Sequence, residues 1–126
     1  MQTVLVISRA WKFRILVAAQ LMEEGYQTFW VEDIQDAFQT LKIHQSHPDM
    51  IILDTLQIDL DPAALDGLHL QGGGIPVLIC AGAADSVDRP KTFCRFLRRP
   101  VSIAEIVEEV KQILYLDKPD TFLYNE

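Results

Sequence analysis

The amino-acid sequence predicts an α/β domain with a parallel sheet covered by helices on both faces. Three observations lead there. Short unbroken apolar runs recur at residues 4–7, 50–53 and 77–80, each bounded by polar or turn-forming residues. Such runs read as strands buried on both sides. Segments of helical period lie between them, and alternating strand and helix implies right-handed βαβ crossovers. The 126 residues suffice for one domain with a real core. In such sheets ligands and chemistry collect beyond the carboxyl ends of the strands. The run Asp49-Met50-Ile51-Ile52-Leu53-Asp54 ends there in a carboxylate, which makes Asp54 the leading candidate.

Taken in order, residues 3–7 form the first strand, ending at Ser8-Arg9. From Trp11 to about Glu24 the pattern is helical. Ile15, Ala18, Ala19 and Met22 are read as its apolar face, and Gly25 as its stop. Residues 27–31 are rich in β-formers. Asp33 caps the next helix, whose inner face is Ile34, Ala37, Phe38 and Leu41. After the Asp54 strand, a short helix is expected over residues 63–70. It begins near Asp61-Pro62, where proline suits the first turn, and breaks at Gly72-Gly73-Gly74. Residues 75–80 form the fourth strand and residues 93–97 the fifth. Residues 81–91 show no helical period, so a fourth helix there is weak or missing. Ser102 with Glu105 makes a capping box ahead of a long stripe, Ile103, Ile106, Val107, Val110, Ile113 and Leu114. The domain is bounded at 1–116, with a polar tail at 117–126. At this length the natural arrangement is the flavodoxin-like strand order 2-1-3-4-5.

Composition narrows the function. No apolar run approaches the roughly 20 residues of a membrane span. Arg9, Lys12 and Arg14 interrupt any leader-like stretch, so a cytoplasmic protein with no membrane role is expected. Net charge is −7, which disfavours nucleic acid as a partner. Five of the eleven basic residues nevertheless cluster between Arg89 and Arg99, and an acidic protein surface fits that segment. Cys80 and Cys94 form neither a disulfide framework nor a zinc motif and are read as core residues. Trp11 and Trp30 are read as packing residues. The triple glycine precedes a strand rather than a helix, which makes it a poor phosphate loop.

Five stretches fall in order at suggestive intervals: Val4-Leu5-Val6-Ile7, Gly25-Tyr26, the 48–54 segment, Ile75-Pro76-Val77-Leu78-Ile79 and Arg99-Pro100. Together they resemble the receiver domain of bacterial two-component response regulators, over about residues 2–116. The resemblance implies that Asp54 corresponds to the aspartate that accepts a phosphoryl group from a histidine kinase. It implies an acidic, Mg²⁺-binding pair at positions occupied here by Ser8 and Arg9. It implies a hydroxyl residue where Ala81 stands, a lysine where Arg99 stands, and a coupling aromatic at Phe96. By the same resemblance Phe96, Arg95 and Arg98 lie on the output face, where partners or a second copy dock.

These departures define a degenerate pocket of Ser8, Arg9, Ala81 and Arg99 around Asp54. Mg²⁺ is a hard cation held by carboxylates, carbonyls and water. With two carboxylates replaced, Mg²⁺ binding is expected to be weak or lost, and no other cofactor is implied. Arg9 is expected to pair with Asp54, with Arg99 flanking it from the other side. The leading function is a non-enzymatic signalling module that binds a protein partner, with a homodimer as a further possibility. An atypical phosphoacceptor modified on Asp54 is the alternative, and a small-molecule binding module on the same fold is a third.

Overall fold

The structure, a computed structural model, describes residues 1–43, 47–58, 61–82 and 93–116. Its elements are β1 (Thr3–Ile7), α1 (Trp11–Glu23), β2 (Gln27–Val31), α2 (Ile34–Ile43), β3 (Met50–Asp54), α3 (Pro62–Gln71), β4 (Val77–Ala81), β5 (Cys94–Arg98) and α4 (Ile103–Leu116). All strand pairings are parallel and the order is β2-β1-β3-β4-β5. This is the flavodoxin-like order that the alternation of elements implies. The 83–92 segment, where a weak or missing helix is expected, lies outside the described residues, as does the 117–126 tail. No described helix is long and apolar enough to cross a membrane.

Strand alternation sorts the core into two layers. Val4, Val6, Met50, Ile52 and Leu78 face α1 and α4, where they meet Val17, Leu21, Ile106 and Val110. Leu5, Ile7, Ile51, Leu53 and Ile79 face α2 and α3, where they meet Ile34, Ala37, Leu41, Leu65 and Leu68. The strands β1, β3 and β4 lie inside the sheet and are apolar on both faces for that reason. Cys80 belongs to the first layer and Cys94 to the second, and both are buried and outside any disulfide.

Helix ends follow local chemistry. The Asp61 carboxylate accepts from the Ala63 N–H at 2.9 Å, with Pro62 in the first turn. Ser102 Oγ accepts from the Glu105 N–H at 3.1 Å, and Glu105 accepts from the Ser102 N–H at 3.3 Å, closing the capping box. The α1 terminus is a Schellman turn, with Tyr26 N–H on the Leu21 carbonyl and Gly25 N–H on that of Met22. Gly25 has φ +92°, a conformation open to glycine at low cost. In α3, a methyl on Gly67 would sit 3.1 Å from the Phe38 ring, so glycine there lets α2 and α3 approach closely.

Helix α1 corrects the sequence reading. Its buried residues are Arg14, Val17 and Leu21, whereas Ile15 is 56% exposed and Met22 64%. Ala19 is exposed as well, and Ala18 is intermediate. The helix is apolar around much of its circumference, so periodicity alone could not select the inner face. Trp11 and Trp30, read as packing residues, are also more than half exposed.

In dilute solution, Leu21→Ala is expected to cost about 2–5 kcal/mol in urea unfolding, and Met22→Ala less than about 0.5 kcal/mol. Equal losses at the two positions would contradict the observed orientation of α1.

Candidate functional site

The carboxyl ends of β1, β3 and β5 bring Ser8, Asp54 and Arg99 together. All three continue the alternation that points toward the α1–α4 side. Asp54 is fully buried. Its Oδ2 accepts from the Ser8 hydroxyl at 2.6 Å. Its Oδ1 accepts from the Leu56 N–H at 3.1 Å and from Arg99 Nη2. A buried carboxylate is costly unless paired and hydrogen-bonded, and these three donors meet that demand.

Each donor is itself held. Ser8 Oγ accepts from the Ala10 N–H at 3.0 Å, which fixes the turn into α1. The Arg99 N–H donates to the Ala81 carbonyl at 2.8 Å, and its Nη1 to the Cys80 carbonyl at 3.4 Å. The guanidinium lies 5.7 Å from the Phe13 ring. Cys80 is register-paired with Asp54, and its thiol pKa is pushed up to about 12. Burial is the larger cause and the Asp54 charge adds to it, while Arg99 opposes both.

Arg9 does not join this cluster, against the expectation that it would pair with Asp54. Its Nη2 instead meets Asp33 at 3.6 Å, at the start of α2. One residue beyond Ser8, the chain's alternation turns Arg9 toward the opposite layer. There it lines a groove of about 330 Å³ with Asp33, Ile34, Gln35, Gln57 and Ile58. Ala81 contributes a backbone carbonyl, and its methyl packs into the α2–α3 core.

Phe96 is partly buried against that same layer. Arg95 lies on the other face of β5, with Nε 2.9 Å from a Glu109 carboxylate oxygen. Arg98 Nη1 is 3.4 Å from the Gly82 carbonyl. Arg89 and Lys91 of the basic cluster lie outside the described residues.

The sequence reading missed Arg14. It is buried on α1, where Nη1 donates to the Ser8 carbonyl at 3.3 Å. Its guanidinium stacks over the Trp30 ring at 4.0 Å and lies 3.7 Å from Glu32. Nε has no partner. Arg14 therefore clamps the turn that presents Ser8. Its spacing to Val17 and Leu21 is the one signal that places it on the inner face.

The receiver resemblance implies a bound Mg²⁺, and the residues present do not fit one. A hard cation needs several free oxygen ligands, and both Asp54 oxygens are already engaged by donors. Among the described residues no group of three His, Cys, Asp or Glu side chains is arranged to hold a metal.

The strand order and the aspartate at the end of β3 make this the receiver fold of response regulators, and comparison with known proteins bears that out along nearly the whole chain. The receiver domain of the hybrid histidine kinase CckA is 25% identical with a TM-score of 0.73, over 89% of this chain and 98% of that one. The receiver domain of Francisella response regulator 1452 is 25% identical with a TM-score of 0.76, over 94% and 100%. A probable transcriptional regulatory protein of Picosynechococcus is 25% identical over 121 residues. That match takes in 88% of this chain and 48% of the relative, so the chain spans about half the length of the curated relative it matches. No protein-family model matches the sequence.

Two measurements check the cluster. Arg99→Met is expected to destabilise by about 2–3 kcal/mol. That is less than the roughly 3–5 kcal/mol for a fully buried pair, because Arg99 is partly exposed and two donors to Asp54 remain. Adding Asp54→Asn should recover much of the loss in a double-mutant cycle. Additive losses would mean that the two side chains are energetically independent. In a Cys94→Ala background, iodoacetamide at neutral pH should label Cys80 at least about 100-fold more slowly in the folded state than in urea. Equal rates would contradict the burial of the thiol.

Proposed function

We propose that this chain is a non-enzymatic, receiver-type signalling module acting through protein–protein contact, with the Asp54–Arg99 pair standing in place of an Mg²⁺-dependent phosphorylation cycle. The supporting observation is the engagement of Asp54 by Arg99, Ser8 and the Leu56 amide. Phosphoryl transfer requires the attacking oxygen to be free and the developing charge to be neutralised at the phosphoryl group. In this pocket the positive charge is already spent on the carboxylate itself. The domain thus holds one state of a switch without phosphate.

The proposed output face is the β5 edge, with Phe96, Arg95 and Arg98. An acidic partner surface would compete with Glu109 for Arg95. A regulatory protein is the class of partner proposed, since the matched region is about half of a relative named for transcriptional regulation. Direct contact with nucleic acid is disfavoured by the net charge of −7.

A second reading, phosphorylation of Asp54 itself, draws on Arg99 as a cation held on Asp54 Oδ1, of the charge a phosphoryl oxygen would need.

Acetyl phosphate with Mg²⁺ separates the two. The intact mass is expected to remain unchanged, and beryllofluoride to leave the tryptophan fluorescence unaltered. A gain of about 80 Da, one phosphoryl group, that disappears in Asp54→Ala establishes the second reading instead.

A further inference from the structure

Among the described residues α1 exposes four large apolar side chains, whereas α2, α3 and α4 each expose one, Ile43, Leu70 and Tyr115. Trp11 is 58% exposed and Leu16 54%, and with Ile15 and Met22 they form a patch along the whole helix. Trp30 extends it onto β2, an edge strand of the sheet, and is tied to α1 by the Arg14 stack. Single exposed apolar residues need no explanation, but contiguous patches larger than a few hundred Å² mark interaction surfaces.

The patch has a polarity along its length. Trp11 and Lys12 lie at the amino end, with Lys12 Nζ 5.7 Å from the Trp11 ring. Met22 and Glu23 lie at the carboxyl end. Beside Met22 opens a groove of about 560 Å³, lined by Met1, Met22, Gly25, Tyr26, Gln27 and Thr28. The patch therefore carries a large aromatic knob and a cation at one end, and a hollow and an anion at the other. Eleven residues, about 16 Å of helix, separate Trp11 from Met22.

We infer that this face pairs with a second copy of the chain through a two-fold axis near Val17, with the two α1 helices antiparallel. The pairs Trp11 with Met22, Lys12 with Glu23, and Ile15 with Ala19 are each centred close to that position. One rotation therefore seats each Trp11 in the groove beside the partner's Met22, and each Lys12 against the partner's Glu23. Ala19 at the crossing lets the helices approach. Such an isologous contact is self-complementary by symmetry. An aromatic anchor in a pocket supplies the usual centre of binding energy. The walls of the groove and Trp30 extend the patch toward the roughly 800 Å² per partner that a stable interface needs. A lipid surface fits less well, because surface-lying helices carry basic polar faces. Here Glu23, Glu24 and Glu32 border the patch, in a chain of net charge −7. This contact is independent of the Asp54 pocket and lies away from the β5 edge.

Sedimentation velocity across about 1–100 μM, the range of a micromolar Kd, tests it. The wild-type chain is expected to dimerise reversibly, with a blue shift of tryptophan emission. Trp11→Ala and Ile15→Glu should be monomeric and folded by circular dichroism. Lys12→Glu and Glu23→Lys should each weaken the dimer at least about tenfold, and the two together should restore it. A wild-type chain that is monomeric at every concentration overturns the proposal and leaves the face to a different protein. A dimer insensitive to these substitutions overturns it too, and places self-association elsewhere.

Discussion

In a parallel sheet covered on both faces, each strand must send alternate side chains to opposite helical layers. That constraint governs this domain more than any single contact. It divides the apolar residues of β1, β3 and β4 between two cores. At the carboxyl edge the same alternation sends Ser8, Asp54 and Arg99 to one side and turns Arg9 to the other. Which basic residue meets the aspartate is decided by a one-residue difference in position, because the backbone allows no intermediate direction.

Once Asp54 is buried, its charge dictates the surroundings. A carboxylate removed from water needs donors, and the chain supplies a hydroxyl, an amide and a guanidinium. Arg99 suits this role through a planar fork that spans Asp54 and the Cys80 carbonyl together, which the point charge of a lysine would not do. Arg14 then holds the turn of Ser8 from the α1 side. The pocket is a set of mutually oriented groups whose polar atoms hydrogen-bond to one another.

Helix α1 lies between the Asp54 pocket and the apolar patch. Its inner face carries Arg14 and the residues that pack on the sheet, and its outer face carries the apolar patch. The α4 stripe is buried and its glutamates face outward, so α4 shows the ordinary division of a surface helix. That division is absent in α1, which exposes Trp11, Ile15, Leu16 and Met22. Glu109 in turn occupies Arg95, so charge on the β5 side is satisfied within the molecule.

The sequence by itself determined the layer architecture, the strand order and most helix ends. These depend on local rules: apolar runs for buried strands, the Asp61 and Ser102 caps, and the Gly25 stop. By resemblance to a receiver domain it also assigned Ser8, Arg9, Ala81 and Arg99 to one pocket around Asp54, and of these side chains Ser8 and Arg99 meet the aspartate. Tertiary structure alone decided the partner of Arg9, the buried role of Arg14 and the inner face of α1. Arg9 and Arg14 are both arginines close to β1, and nothing in their local sequence says that one meets Asp33 in partial solvent and the other lies under Trp30. Ile15 and Val17 are equally apolar, and only the placement of α1 over β1 and β2 separates them. Local chemistry selects elements because it acts between near neighbours in the chain. The direction of a side chain on an evenly apolar helix, and the partner of a long cation, depend on surfaces that exist only after the sheet has assembled.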